Sequence, residues 1–171
     1  KNGGLYDKFR NRLMLPVIDT RGDVVAFGSR VLDKSEPKYM NSSETPVYSK
    51  RRVLYGLNLA KKSKRPNIIL CEGNLDIVTL HQAGFDNAVA SMGTALTVEQ
   101  TRLLSRFTKE LVLCYDNDNA GKIATERALQ ILNGSEFSVK VLQLPRRLVD
   151  GEYIKQDADD FIKFQGPDAF E

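Results

Sequence analysis

The sequence contains no tryptophan, one histidine and only two cysteines among 171 residues. Both cysteines, Cys71 and Cys114, lie inside apolar runs, as is typical of reduced thiols buried in a cytoplasmic protein. Together with His81 they are too few for a structural zinc site, so we expect none in this chain. No apolar run approaches the length of a membrane span, which predicts a protein without a membrane segment. The chain begins at Lys1 and ends in a helical pattern, so we expect a piece of a longer protein.

The charges are divided unevenly along the chain. Residues 1–66 contain 15 lysines and arginines and 6 acids, whereas residues 67–171 contain 10 and 16. A basic half beside an acidic half indicates one surface that binds a polyanion and another that binds cations. Ordinary solvated surface charge is the alternative interpretation.

From Pro66 onward, short apolar runs alternate with helical patterns. The runs that predict strands are NIILCEG, DNAVAS, LVLCYD and SVKVLQLP. The segments that predict the helices between them are NLDIVTLHQAG, TVEQTRLLSRF and NAGKIATERALQILNG. An alternation of this kind is typical of a mainly parallel sheet with helices on both faces, which is the α/β class.

The helical patterns also predict details of packing and capping. In the first helix, Leu75, Val78 and Ala83 are expected to face the core. At the start of the second helix, Thr97 and Gln100 have the spacing of a capping box.

Residues 1–64 follow a different pattern. The segments NRLMLPVID and GDVVAFGSRVL predict a hairpin that turns at Gly22 and Asp23. The segment after this hairpin is irregular and mixes lysine and arginine with tyrosine and asparagine. We therefore divide the chain into a small basic α+β subdomain, residues 1–64, and an α/β domain, residues 65–171, which includes the start of a following helical region.

Acidic residues follow the predicted strands. Glu72 ends the first strand, Asp116 and Asp118 end the third, and the run at 157–160 follows the fourth after a loop. Asp76 lies one helical turn beyond Glu72. Because ligands bind outside the carboxyl ends of parallel strands, these acids are expected along one edge of the sheet.

Two carboxylates at close range repel each other, and a divalent cation removes this conflict because it binds both in the ionised form. Oxygen ligands without histidine or cysteine favour Mg²⁺, Mn²⁺ or Ca²⁺. Such ions assist phosphoryl or nucleotidyl transfer. The alternative for the pair alone is that Asp118 caps a helix while Asp116 is solvated, but capping does not account for Glu72.

The loop SMGTALT joins the second strand to the second helix. Gly93 permits a tight backbone there, and the loop amides could cradle a phosphate. A plain strand-to-helix turn explains the loop equally well.

The segments EGNLDIV, GTALT and YDNDNAG contain the acids and the glycine loop described above. They resemble the Toprim motifs of bacterial replicative DNA primases of the DnaG type. The segments similar to the regions flanking those motifs are YDKFRNRLMLPVID, GDVVAFGSRVL, PKYMNSSETPVYSKRRVLYGL and DNAVASMGTALTVEQ. The resemblance covers nearly the whole chain in the family's order. It implies a Toprim-like sheet preceded by a basic subdomain of the polymerase core.

The resemblance also implies residue roles. It assigns catalysis to Glu72, Asp116 and Asp118. It assigns binding of Mg²⁺ or Mn²⁺ to Glu72, Asp76, Asp116, Asp118, Asp157 and Asp159. It assigns contacts with nucleic acid or nucleotide to Arg10, Arg12, Arg30, Lys38, Asn41 and Lys50. Asp157-Ala158-Asp159 stands where the family has Asp-Pro-Asp, and it follows Pro145 after a long loop, so Asp160 is an alternative ligand.

The function implied is synthesis of short RNA primers on single-stranded DNA from NTPs, by metal-dependent nucleotidyl transfer during replication. A replicative helicase is an expected partner, through regions absent from this chain. The alternatives are a non-catalytic nucleic-acid-binding Toprim module and a Toprim nuclease. A strand-passing enzyme would need a nucleophilic tyrosine. A phosphatase that uses Asp-x-Asp would leave the basic half unexplained.

Overall fold

The computed structural model describes residues 4–171. It has nine strands and six helices within this range. The strands are β1 (Arg12–Ile18), β2 (Val24–Val31), β3 (Tyr39–Asn41), β4 (Ile68–Cys71), β5 (Ala88–Ala90), β6 (Glu110–Leu113), β7 (Ser138–Val141), β8 (Arg147–Val149) and β9 (Glu152–Ile154). The helices are α1 (Leu57–Ala60), α2 (Asn74–Gln82), α3 (Val98–Leu104), α4 (Asn119–Leu132), α5 (Ala158–Gln165) and α6 (Pro167–Phe170). No helix of residues 4–171 combines the length and apolar character of a membrane span.

Strands β1, β2 and β3 form an antiparallel sheet in that order. The predicted hairpin is present, and Asp19 closes its turn by accepting hydrogen bonds from the amides of Arg21, Gly22 and Asp23. Val17 and Ala26 pack on the inner face of this sheet. They contact Met92, which comes from the loop after β5. The small sheet is therefore packed against the edge of the larger one.

The larger sheet is parallel throughout, with strand order β5-β4-β6-β7. This confirms the predicted alternation. The residues of β4 are all buried because helices cover both faces of the sheet. Ile68 and Leu70 face one side, where α1, α3 and α4 pack. Ile69 and Cys71 face the other side, against α2, α5 and α6.

Two details differ from the sequence prediction. Helix α2 turns Ile77 and Leu80 into the core, whereas Leu75 and Val78 are only partly buried. The prediction for Leu75 and Val78 was wrong because Asp76, which accepts two backbone hydrogen bonds, fixes a different face inward. Ala83 does pack against the core, as predicted.

The predicted loop after Pro145 contains the two-stranded hairpin β8-β9. Its two turn residues, Asp150 and Gly151, both have positive φ, of 50° and 85°. Asp-Gly is a typical sequence for such a turn, so a signal for the hairpin was available in the sequence. The hairpin lies directly before the acidic run at 157–160 and positions it.

The predicted capping box at the start of α3 is present. Thr97 and Gln100 each accept a hydrogen bond from the other's amide at 3.1 Å. The fully buried Gln100 amide group also donates to the carbonyls of Lys50 and Val53, at 2.9 and 3.0 Å. These bonds tie the basic N-terminal segment to the parallel sheet.

Residues before position 64 also contribute to the larger core. Leu54, Leu57 and Ala60 pack with the buried residues of β4 and β6. Tyr55 exchanges two backbone hydrogen bonds with Ala90 of β5, at 2.8 and 3.0 Å. The division of the chain at residue 64 stays a prediction.

Candidate active site

A groove of about 600 Å³ lies between the small sheet and the carboxyl edge of the parallel sheet. One wall carries carboxylates and the other carries basic and amide groups. The acids that line it are Glu72, Asp76, Asp116, Asp157, Asp159 and Asp160. Arg30, Lys38 and Asn41 line it from the small sheet. The fold thus brings the two oppositely charged halves of the sequence to the same cleft.

The first group of acids consists of Glu72, Asp116 and Asp118, which follow the ends of β4 and β6. The Asp116 amide donates to Glu72 Oε1 at 3.3 Å, so the two residues are neighbours. Burial, followed by the charge of Asp116, raises the pKa of Glu72. Burial also raises the pKa of Asp116. Partly desolvated carboxylates with raised pKa values favour a bound cation.

Asp118 has two separate contacts. Its Oδ1 accepts from the Gly121 amide at 2.9 Å and so caps α4, as the alternative interpretation proposed. Its Oδ2 accepts from Lys155 Nζ at 2.8 Å, and this hydrogen bond lowers the pKa of Asp118. Asp116 is not simply solvated, because it is half-buried beside Glu72. Helix capping therefore explains one contact of Asp118 but not the position of Asp116 beside Glu72.

Lys155 was missed in the sequence analysis. It follows β9, and its Nζ also lies 3.5 Å from Asp116 Oδ2. No sequence motif marks this lysine. The Asp-Gly turn predicts a hairpin, but only the packed hairpin places the lysine at this edge.

The second group of acids lies at the start of α5. Asp157, Asp159 and Asp160 each offer a carboxylate oxygen, and these oxygens lie within 4.8 Å of one another. Asp157 caps the helix by accepting from the Asp160 amide at 2.7 Å. Asp159 accepts from Thr79 and, at 2.6 Å, from Lys163. The described groove residues offer carboxylate oxygens without histidine or cysteine, and this donor set fits a hard divalent cation such as Mg²⁺, Mn²⁺ or Ca²⁺.

Asp76 is the most deeply buried of these acids, with 7% of its surface exposed. Its two oxygens accept from the amides of Gly73 and Asp159, each at 3.1 Å. Asp76 thus links the end of β4 to the start of α5 and supports both groups of acids. Its role as a metal ligand stays a prediction.

Without divalent cations, the free energy of unfolding is expected to fall as pH rises from about 4 to about 7. Burial, followed by the charge of Asp157, raises the pKa of Asp76 from 3.8 to about 7. The folded state therefore keeps a proton that the unfolded state releases, so this contribution is present below 3.8 and lost as pH passes about 7. The corresponding free energy is at most about 4 kcal/mol. The raised pKa values of Glu72 and Asp116 act in the same direction.

Chemical denaturation of the EDTA-treated protein across this pH range measures the effect. Asp76→Asn should flatten the slope, whatever its effect on absolute stability through the two amide contacts. Glu126→Gln, at an exposed site of α4, should keep the wild-type slope. A slope unchanged in Asp76→Asn would contradict the prediction.

The opposite wall combines positive charge with an aromatic ring. Arg30 and Lys38 lie 6.0 and 5.5 Å from the ring centroid of Tyr39. Asn41 donates from Nδ2 to the carbonyl of Met92 at 3.4 Å. Gly93, the residue after Met92, has φ +70°, and a Cβ there would lie 3.3 Å from Asn41 Nδ2. The loop SMGTALT therefore contacts the basic wall, but phosphate binding by its amides stays a prediction.

Three of the predicted nucleic-acid contacts lie away from this groove in the described structure. Arg10 lies near the ring of Tyr6, and Arg12 donates to the carbonyl of Pro37 at 2.8 Å. The Lys50 backbone bonds to Gln100 and Glu44. Their contacts with nucleic acid stay predictions, and any such contacts would lie outside the groove.

Comparisons with known proteins match both parts of the chain. A family model described as Toprim-like matches residues 69–162. A second, described as the N-terminal domain of the DNA primase catalytic core, matches residues 1–61. A DNA primase from Clostridium acetobutylicum is 46% identical over 171 residues, covering 99% of this chain and 27% of that protein. The chain thus spans about a quarter of the length of this curated relative.

Solved structures agree with this similarity. A DNA primase domain from Pseudomonas aeruginosa superposes with a TM-score of 0.86 at 41% identity, covering 99% of this chain and 52% of that one. The RNA polymerase domain of Mycobacterium tuberculosis primase DnaG was solved with a double-stranded DNA oligomer bearing a 6-nucleotide overhang. It superposes with a TM-score of 0.77 at 34% identity, covering 99% of this chain and 54% of that one.

Proposed function

The chain belongs to the DnaG-type bacterial DNA primases, and we propose that it supplies the metal-binding half of a primer-synthesising active site. The full protein would extend an RNA primer from NTPs on single-stranded DNA. One observation carries the proposal: carboxylates that follow β4 and β6 and carboxylates at the start of α5 line one groove together with Arg30 and Lys38. That arrangement suits a reaction in which a polyanionic substrate and divalent cations meet.

Glu72, Asp116 and Asp118, which follow β4 and β6, would hold Mg²⁺ or Mn²⁺, and so would Asp157, Asp159 and Asp160 at the start of α5. Such ions neutralise phosphate charge and activate the attacking hydroxyl. The protein would contribute positioning and charge neutralisation and would form no covalent intermediate. Its ionised carboxylates would hold the cations in place. Asp76 would tie the two groups of acids together through its bonds to Gly73 and Asp159.

The basic wall would bind the nucleic acid or the nucleotide. Arg30 and Lys38 offer charged donors to phosphates, and Tyr39 offers a face on which a base can stack. Asn41 adds a directional hydrogen bond next to the loop at Gly93. The M. tuberculosis structure with DNA supports assigning a nucleic acid to this family member. Binding of a replicative helicase would need segments outside this chain.

A strand-passing activity is less well supported. Tyr115, which follows β6, is buried in the core with 7% of its surface exposed. Burial raises the pKa of its hydroxyl well above the ordinary value. A buried phenol of this kind is a poor nucleophile.

The test is primer synthesis by the full-length protein on a single-stranded template with NTPs and either Mg²⁺ or Mn²⁺. RNA products that depend on NTPs, template and metal support the proposal. Cleavage of plasmid DNA without NTPs would favour a nuclease. Single-strand binding that is insensitive to divalent metal, with no product, would favour a non-catalytic module.

A further inference from the structure

The hairpin β8-β9 ends in a lysine that contacts the acids of the first group. Lys155 Nζ lies 2.8 Å from Asp118 Oδ2 and 3.5 Å from Asp116 Oδ2. The lysine side chain is 58% exposed, whereas the two carboxylates are 34% and 27% exposed. A single ammonium group therefore bridges both acids of the Asp-Asn-Asp motif.

The base of the hairpin is fixed on the body of the domain. Gln156, only 1% exposed, donates from Nε2 to the carbonyl of Pro145 at 2.7 Å. Asp157 caps α5, and the Arg147 guanidinium lies 3.5 Å from the ring centroid of Phe164. Lys155 is the residue directly before Gln156. These contacts anchor its backbone near the acidic edge, while its long, exposed side chain can adopt other rotamers.

The proposed function assigns the same two carboxylates, Asp116 and Asp118, to metal. An ammonium group and a divalent cation cannot both occupy the short space between them without repulsion. We propose that Lys155 is an internal cation that pairs with Asp116 and Asp118 before metal binds, and that it sets the metal affinity by competing for their oxygens. This inference rests on the proposed metal site.

The ion pair itself contributes little to folding. Exposed pairs of this kind are worth little because water screens them and the side chains lose freedom. Removing the lysine should therefore leave the fold intact. The main effect of removing Lys155 should be a more negative site for an incoming cation.

The experiment is titration of the full-length protein with Mn²⁺, following the free ion by electron paramagnetic resonance. Lys155→Met should tighten Mn²⁺ binding roughly 10-fold, since removing an opposite charge in contact with carboxylates changes their cation affinity on that scale. Lys155→Arg, which keeps the charge, should stay near wild type. Lys109→Met removes a lysine paired with Glu136, away from the groove, and should also bind as wild type.

Two failures can be distinguished. If wild type and Asp116→Asn bind Mn²⁺ equally, the metal site is wrong and the proposed function fails. If Asp116→Asn loses affinity but Lys155→Met binds no more tightly than wild type, the competition is wrong while the metal site stands. Thermal melting of each variant shows whether it is folded.

Discussion

Replacing Asp116 by asparagine is expected to lower primer synthesis by the full-length protein at least about 100-fold. Asparagine has nearly the same shape, so the backbone contact of residue 116 with Glu72 can persist. The variant loses only the negative charge at the end of β6. Because the proposed mechanism depends on charge neutralisation, that loss should reduce the chemical step rather than the folding of the protein.

A measurement of stability separates an effect on the chemical step from an effect on folding. Burial raises the pKa of Asp116, so the charged form is disfavoured in the folded protein, and Asp116→Asn should be as stable as wild type or more so above neutral pH without metal. Asp150→Asn makes the same chemical change in an exposed hairpin turn and should keep wild-type activity. A rate within about threefold of wild type for folded Asp116→Asn would rule out its role as a ligand.

The second large effect is expected for Gly121→Ala. A Cβ at residue 121 would lie 2.0 Å from the Asp116 carbonyl oxygen and 2.8 Å from its carbonyl carbon. The clash is with backbone, so no side-chain rotation can relieve it. The turn from Asp116 to α4 must open, and the Gly121 amide then loses its bond to Asp118 Oδ1. We expect the free energy of unfolding to fall by about 3 kcal/mol or more.

Chemical denaturation and Mn²⁺ titration measure this prediction together. The displaced turn should weaken Mn²⁺ binding by at least about 10-fold, because Asp116 and Asp118 would no longer point at the same place. Gly4→Ala is the matched control, since a Cβ at residue 4 meets nothing within 4 Å. Wild-type stability and affinity in Gly121→Ala would mean that the close approach to Asp116 does not constrain the site.

Much of the fold followed from local pattern. Short apolar runs between helical segments predicted the parallel sheet, because a strand with helices on both faces is largely apolar, as β4 is. Thr97 and Gln100 predicted their capping box from spacing alone. The burial pattern of α2 was not predicted, since Asp76 accepts hydrogen bonds both from Gly73, the N-cap residue of α2, and from Asp159 of the distant helix α5.

The sequence by itself determined the class of the fold. It also determined that the acids after the strands lie along one edge of the sheet, because chain direction sets where parallel strands end. Tertiary structure decided which charges share the groove. Arg30 and Lys38 reach it from the small sheet, while Arg12 is engaged by the Pro37 carbonyl. It also placed Lys155 between Asp116 and Asp118. Contacts of this kind join residues that are distant along the chain, and only packing of the whole chain sets their separation.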